Sequence, residues 1–199
     1  MSNTRLTQAL KYGKEKHEGQ TRKTDGTPMF NHPIRVAGIL KDAGFDEEVV
    51  MAGYLHDTVE DTDATLEEIE KLFGKRVAEI VAGNTENKDD SWEERKQHTI
   101  DWIAEAPIEV RALIVADKLD NLRSMVKAYQ QEGETLFTHF KRGKEEQLWY
   151  FKGVANKMRN PADNLFNKNH CDFPLYFDTY ESLVTNFEAL IQGESNEGK

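Results

Sequence analysis

The stretch GYLHDTVEDTDATL, Gly53 to Leu66, sets the terms on which the rest of the chain is read. Before it, Asp46 opens a helix through Val49, Val50, Ala52 and Tyr54. That apolar run ends in a His-Asp doublet, His56-Asp57, and Glu60-Asp61 follows one helical step later. Side chains three or four residues apart share a helix face, so both pairs can look into one hollow. Four ionisable groups so close to a core helix are costly to place unless positive charge lies among them. A divalent metal is the leading candidate. Directly after the stretch, Thr65-Leu-Glu-Glu68 has the form of a capping box, and Ile69, Leu72 and Phe73 continue at helical spacing to Gly74.

Outward from this junction the same period recurs. Leu6, Ala9, Leu10 and Gly13 lie on one side of a helix ending near His17. The Gly, Asp-Gly and Pro of Glu18 to Pro28 mark an ordered turn or short hairpin. Asn31-His-Pro33 reads as an N-cap and first turn, continued by Ile34, Val36, Ala37, Ile39 and Leu40. Val77, Ile80 and Val81 form a further helix, and Ser91-Trp-Glu-Glu94 is a second capping box. Pro107 starts the most apolar helix, carrying Asp117 and Asn121 on one face. Helices are also predicted from about Gly143 to Met158 and from Tyr176 to Ile191, with a loop over Asn160 to Pro174 between them. There is no internal repeat and no alternating run long enough for a sheet of any size. The expectation is an all-α bundle of about eight to ten helices, with at most one small hairpin near Arg22 to Phe30. It forms a single domain over residues 1–192, followed by a disordered tail over 193–199.

Composition narrows the function classes. A chain of 199 residues with 38% hydrophobic and 31% charged residues fits a globular protein with one sizeable core. No apolar run approaches the ~20 residues of a membrane span. The N-terminus lacks a signal-peptide core, so a cytoplasmic setting is expected. The single cysteine, Cys171, permits no internal disulfide and is the wrong inventory for a zinc finger; it reads as a packing residue. A net charge of -10 disfavours a nucleic acid polymer as partner, but leaves room for a small anionic ligand held by a metal and local cations. Oligomeric state is not encoded in any feature of the chain.

Candidate ligands come from three helices: His32, His56 with Asp57, and Asp117. Two imidazoles and two carboxylates suit Mn, Fe, Zn or Co. Asp117 lies among Ile114, Val115, Ala116 and Leu119, so its carboxylate needs a partner. From residue types alone two readings stand: a metal ligand, or a structural Asp paired with Lys118 or Arg123. By residue type Glu60-Asp61 reads as a solvated helix end, with Asp61 or Asp63 capping the next helix and Thr65 at its start.

His32, then His56-Asp57, then Asp117 in DKLDNLR resembles the H…HD…D signature of the HD-domain phosphohydrolases. HEGQTRKTDGTPMFNHP, LHDTVEDTDATLEEIEKLFG, ERKQ and ADKLDNLRS are more closely similar to the hydrolase domain of RelA/SpoT-type proteins and to small stand-alone alarmone hydrolases, over about Leu6 to Val126. That resemblance implies one Mn²⁺ on His32, His56, Asp57 and Asp117, with Glu60 and Asp61 orienting or deprotonating the attacking water. It also implies removal of the 3′-pyrophosphate of ppGpp. It places Arg22 and Lys23 against the base or phosphates and Asn121 near ribose and phosphate. Ser124 stands where relatives often carry Thr, and Lys88, Arg95 and Lys96 fall around the TxDK and ERK positions. The chain departs from the pattern at Pro28-Met29-Phe30, where Pro-Tyr is usual, and at Asn84, where an apolar residue is common. Beyond Met125, KRGKEEQLWYFKGVANKM looks instead like small bacterial HD hydrolases. There Trp149 and Tyr150 read as core, or as a platform for a base. Because the sequence stops at Lys199, no synthetase or regulatory domain is expected after it. Rival readings keep the metal and change the substrate to another nucleoside phosphate or a phosphorylated dinucleotide, or remove catalysis and leave a nucleotide-binding module.

Overall fold

A computed structural model of the protein describes residues 4–22, 26–159 and 173–197. Lys23, Cys171, most of the expected loop over Asn160 to Pro174, and residues 198–199 lie outside the described residues. The chain is all-α, as its apolar spacing predicts. In order, the helices are α1 (Arg5–Lys16), α2 (Asn31–Asp42), α3 (Glu47–Leu55), α4 (Thr58–Asp61), α5 (Leu66–Phe73), α6 (Lys75–Asn84), α7 (Trp92–Glu105), α8 (Ile108–Glu132), α9 (Lys144–Lys157) and α10 (Leu175–Glu197). A 3₁₀ helix over Gly133–His139 joins α8 towards α9. The expected hairpin reduces to a single antiparallel bridge between Thr21 and Pro28. It is closed by Arg22 N–H to Thr27 O at 2.8 Å and Met29 N–H to Gln20 O at 2.9 Å.

Local chemistry fixes most helix ends. Asp46 accepts from the N–H groups of Glu48 and Val49 at the start of α3. Ser91 and Glu94 form the reciprocal capping box that starts α7, whereas Thr65 supplies a one-way cap, accepting from Glu68 N–H. Two ends differ from the sequence reading. Asn31 is the first helical residue of α2, not its cap, because Phe30 is already in helical geometry and the turn over Pro28–Asn31 runs straight into the helix. The last helix continues to Glu197, past the expected tail boundary: no proline interrupts it, and extending a helix costs far less than starting one.

α8 is the axis of the fold. Val110 to Ala116, Leu119, Leu122 and Met125 are buried along it, and it packs against α2, α3, α6, α7, α9 and α10. The pair α2 and α3 lies unusually close. A Cβ on Gly53 would sit 2.9 Å from Ala37 Cα and 3.0 Å from Leu40 Cδ1, so only glycine allows this approach. It brings the first turn of α2 beside the last turn of α3. α1 is held against the same corner: a Cβ on Gly13 would lie 2.6 Å from Phe30 Cε2 and 2.7 Å from Tyr54 O. Among the described residues, no helix is long and apolar enough to cross a membrane.

Candidate active site

The close α2–α3 corner and the middle of α8 bring four polar groups to one point. His32 Nε2 lies 3.3 Å from His56 Nε2, 3.0 Å from Asp117 Oδ1 and 3.7 Å from Asp57 Oδ2. His56 Nε2 lies 3.1 Å from Asp57 Oδ1 and 3.9 Å from Asp117 Oδ1. The side chains of His56, His32 and Asp117 are 0%, 2% and 5% exposed, and Asp57 is 17% exposed. The donor atoms of His32, His56 and Asp57 all fall within 4.8 Å of one another, as metal ligands must.

Each imidazole is anchored from behind. His32 Nδ1–H donates to Asp120 Oδ2 at 2.6 Å, and His56 Nδ1–H donates to Gly53 O at 2.9 Å. Both Nε2 atoms are thereby turned inward, the orientation a ligating histidine needs. Asp120 is in turn gripped by Arg35, at 2.6 and 3.0 Å. Burial alone would lower the His32 pKa, but hydrogen bonds to Asp117 and Asp120 and the charge of Asp57 outweigh it and lift it to about 9. Burial pushes Asp117 up, while the Lys118 charge and His32 hold it well below the usual carboxylate range. The corner therefore selects positive charge between its donors. A divalent cation meets that demand with the mixed N/O donor set present, so these residues fit a metal.

Glu60 and Asp61 separate in the fold. Both border a cavity of about 300 Å³ that also contains His32, Asp57 and Asp117. Glu60 is half-buried, and its Oε1 accepts from Glu86 N–H at 2.8 Å. Burial, helped by the charges of Asp57 and Glu86, raises its pKa to about 7 against that hydrogen bond. Asp61 is 39% exposed and pairs with Lys88 at 3.0 Å. Thr65 alone caps α5, while Asp63 pairs with Lys16 at 2.9 Å.

Of the cations anticipated from the sequence, the described ones, Arg22, Lys88, Arg95 and Lys96, each have a partner. Lys88 Nζ also donates to Glu60 O. Arg95 lies 3.2 Å from Glu86 Oε2, and Lys96 lies 2.7 Å from Glu86 Oε1. Arg22 donates to Asn121 Oδ1 at 3.0 Å and lies 3.5 Å from Asp120. Asn121 Nδ2 donates to Asp117 Oδ1 at 2.5 Å. Ser124 Oγ donates back to Asp120 O at 3.0 Å, so its proton is spent within α8. Asp117 faces His32 with one oxygen, and its second oxygen takes Lys118 at 2.6 Å, the structural pairing the sequence offered.

The model of the HD domain matches residues 9–146. The chain belongs to the HD-domain family. Among its relatives, the zebrafish (Danio rerio) guanosine-3′,5′-bis(diphosphate) 3′-pyrophosphohydrolase MESH1 is 43% identical over 123 residues, 60% of this chain and 68% of that protein. A solved structure of lmo0812 from Listeria monocytogenes EGD-e superposes with a TM-score of 0.70 at 48% identity, covering 80% of this chain and 94% of that one. A metazoan ortholog of SpoT, described as hydrolysing ppGpp, superposes with a TM-score of 0.69 at 34% identity, covering 90% of this chain and 95% of that one.

Around the HD signature, the structure adds residues the sequence did not single out. Asp120 and Arg35 each lie three residues beyond a candidate ligand, Asp117 and His32, and that one-turn spacing was a readable signal. Glu86 carried none. A second space of about 240 Å³ shares Lys96, Lys118 and Asn121 with this cavity and is bordered by Arg22, Trp92, Phe140, Gln147 and Tyr150. Tyr150 is buried, with Lys96 Nζ 4.9 Å and Lys118 Nζ 5.6 Å from its ring centroid. Trp149 is 40% exposed and leans on Trp92, with ring centroids 6.2 Å apart.

Proposed function

We infer that the protein is a metal-dependent hydrolase of a phosphorylated nucleotide, with ppGpp as substrate and GDP and pyrophosphate as products. The observation that carries this is the inward convergence of His32, His56, Asp57 and Asp117 beside a half-buried Glu60, in a chain whose relatives bear that activity in their names. We assign the four residues as ligands of one Mn²⁺. A metal there supplies Lewis acidity towards a phosphoryl oxygen and acidifies water. Glu60 accepts the proton of the attacking water at its Oε atoms, a task suited to a carboxylate whose pKa burial has raised towards neutrality. Asp61 holds Lys88 at the rim. Arg22, Lys23, Lys88, Arg95 and Asn121 bind and orient the nucleotide, and the Ser124 oxygen offers an acceptor. Water adds to the phosphorus linked to the ribose 3′-oxygen, the bond between them breaks, and the 3′-oxygen leaves as the hydroxyl of GDP with the proton first taken up by Glu60.

The setting we propose is cytoplasmic, with a small anionic nucleotide as partner. The test is to incubate the Mn²⁺-loaded protein with ppGpp and identify products by ion-exchange chromatography. GDP and pyrophosphate in equal amounts are expected. The aromatic lining of the adjoining space also favours a second reading, in which the same site cleaves another phosphorylated nucleotide or dinucleotide. A nucleotide panel run beside ppGpp decides between them, and ligand-induced thermal stabilisation without turnover on any member would leave a binding module.

A further inference from the structure

Glu86 lies in the connection between α6 and α7, inside the cavity that holds the metal donors. Its side chain is only 9% exposed. Oε1 accepts from Lys96 Nζ at 2.7 Å and from Thr99 Oγ1 at 3.4 Å, and Oε2 faces Arg95 NH1 at 3.2 Å. Burial pushes its pKa up, but the charges of Lys118, Lys96 and Arg95 win and hold it below the usual carboxylate range. An ionised carboxylate thus sits where cations converge, much as a phosphate oxygen would.

The two uses of that nest conflict. A phosphate held by Arg95 and Lys96 would come close to the Glu86 carboxylate. Like charges this close in a partly buried site repel strongly. A carboxylate serving only to hold the fold together would oppose the ligand that the cavity is built to receive. We propose that Glu86 is an internal stand-in for a substrate phosphate: it keeps Arg95 and Lys96 gathered until a phosphate group displaces it, and so sets how much negative charge a ligand must bring. A pyrophosphoryl group brings enough to take over the nest, and a single orthophosphate competes poorly. Glu86 is then a selectivity residue, acting through two cations without touching the reacting atoms. The inference rests on reading this cavity as a phosphate-handling site, though not on ppGpp being the substrate.

The experiment is calorimetric titration of the Mn²⁺-loaded protein, freed of excess metal, with inorganic pyrophosphate and separately with orthophosphate. Wild type should prefer pyrophosphate. Glu86→Gln should bind both about tenfold more tightly, with orthophosphate gaining at least as much, because a like charge has been removed. Glu86→Asp, which keeps the charge, should stay near wild type. Damage to the fold loosens binding and does not tighten it, so a gain separates this role from a structural one. Pyrophosphate affinity in Glu86→Gln equal to or weaker than wild type overturns the proposal, as does an absence of pyrophosphate binding in both proteins. Should Glu86→Gln be too unstable for calorimetry, its melting temperature should rise more than that of wild type on adding pyrophosphate, and an equal or smaller rise overturns the proposal. Failure of the protein to cleave ppGpp would leave each of these readings interpretable.

Discussion

The metal end and the aromatic end of the cavity are built by different means. At the metal end each imidazole is fixed twice, facing its neighbours through Nε2 and tied from behind by Asp120 or Gly53 O. These groups come from α2, from α3 and the turn after it, and from α8, packed so closely that Gly53 tolerates no side chain. At the aromatic end Trp92, Phe140 and Tyr150 come from α7, from the segment after the 3₁₀ helix and from α9; Trp92 meets Tyr150 ring against ring, and Lys96 lies over the Tyr150 ring. Hydrogen bonds dictate direction, whereas ring packing tolerates displacement. The first end is therefore suited to chemistry with one geometry, and the second to recognition that can be retuned without disturbing it.

Substitutions can pull the two ends apart. The largest effect is expected for His56→Ala or Asp57→Ala: each should lose metal, measured by elemental analysis, and lower turnover by more than about a hundredfold, beyond the range seen when only supporting residues are removed. Glu60→Gln should keep its metal and lower kcat by roughly 10²- to 10⁴-fold. The sign of its pH dependence follows from burial. The reactive carboxylate is depleted as pH falls through its raised pKa, so the wild-type rate drops on the acid side, at or below about pH 7, and a bound cation moves that limb lower. Glu60→Gln should lack the limb; a variant that kept it would assign the limb to another group. Asp120→Asn should weaken metal affinity by about 10- to 100-fold in a chelator competition, leaving kcat nearer to wild type at saturating metal. The smallest effect should come from Trp92→Ala at the other end: KM for the nucleotide rises about tenfold, as expected for a lost aromatic stacking surface, while metal affinity holds. Loss of metal in Trp92→Ala would show that the two ends are not separable.

The same division governs what the sequence revealed. The helices were legible because their signals are local: Asp46, Ser91 and Pro107 mark starts, and apolar residues recur at helical spacing in between. The ligand candidates were legible because the His-Asp doublet and the buried Asp117 are costly residues in costly places. The one-turn neighbours Asp120 and Arg35 obeyed the same arithmetic and were open to discovery by it. Glu86 was not, because its meaning comes from Arg95 and Lys96 on α7 and Glu60 on α4, which meet it only in the folded chain. Nor could spacing show that Arg22 reaches across to Asn121, or that Lys88 closes on Asp61. The choice for Tyr150 between core and platform had no answer in one helix, since the residue is buried and also borders the cavity.

Gly13 has a consequence for how the protein tolerates change. It touches Phe30, the residue before α2, and the backbone of Tyr54, two residues before His56. Any side chain there would push on the roots of both histidines while approaching no phosphate and no metal. In a map of permitted substitutions, position 13 should therefore stand with the ligands as forbidden ground, although nothing in its own chemistry marks it. Drift in α1 is constrained by a centre that α1 never reaches.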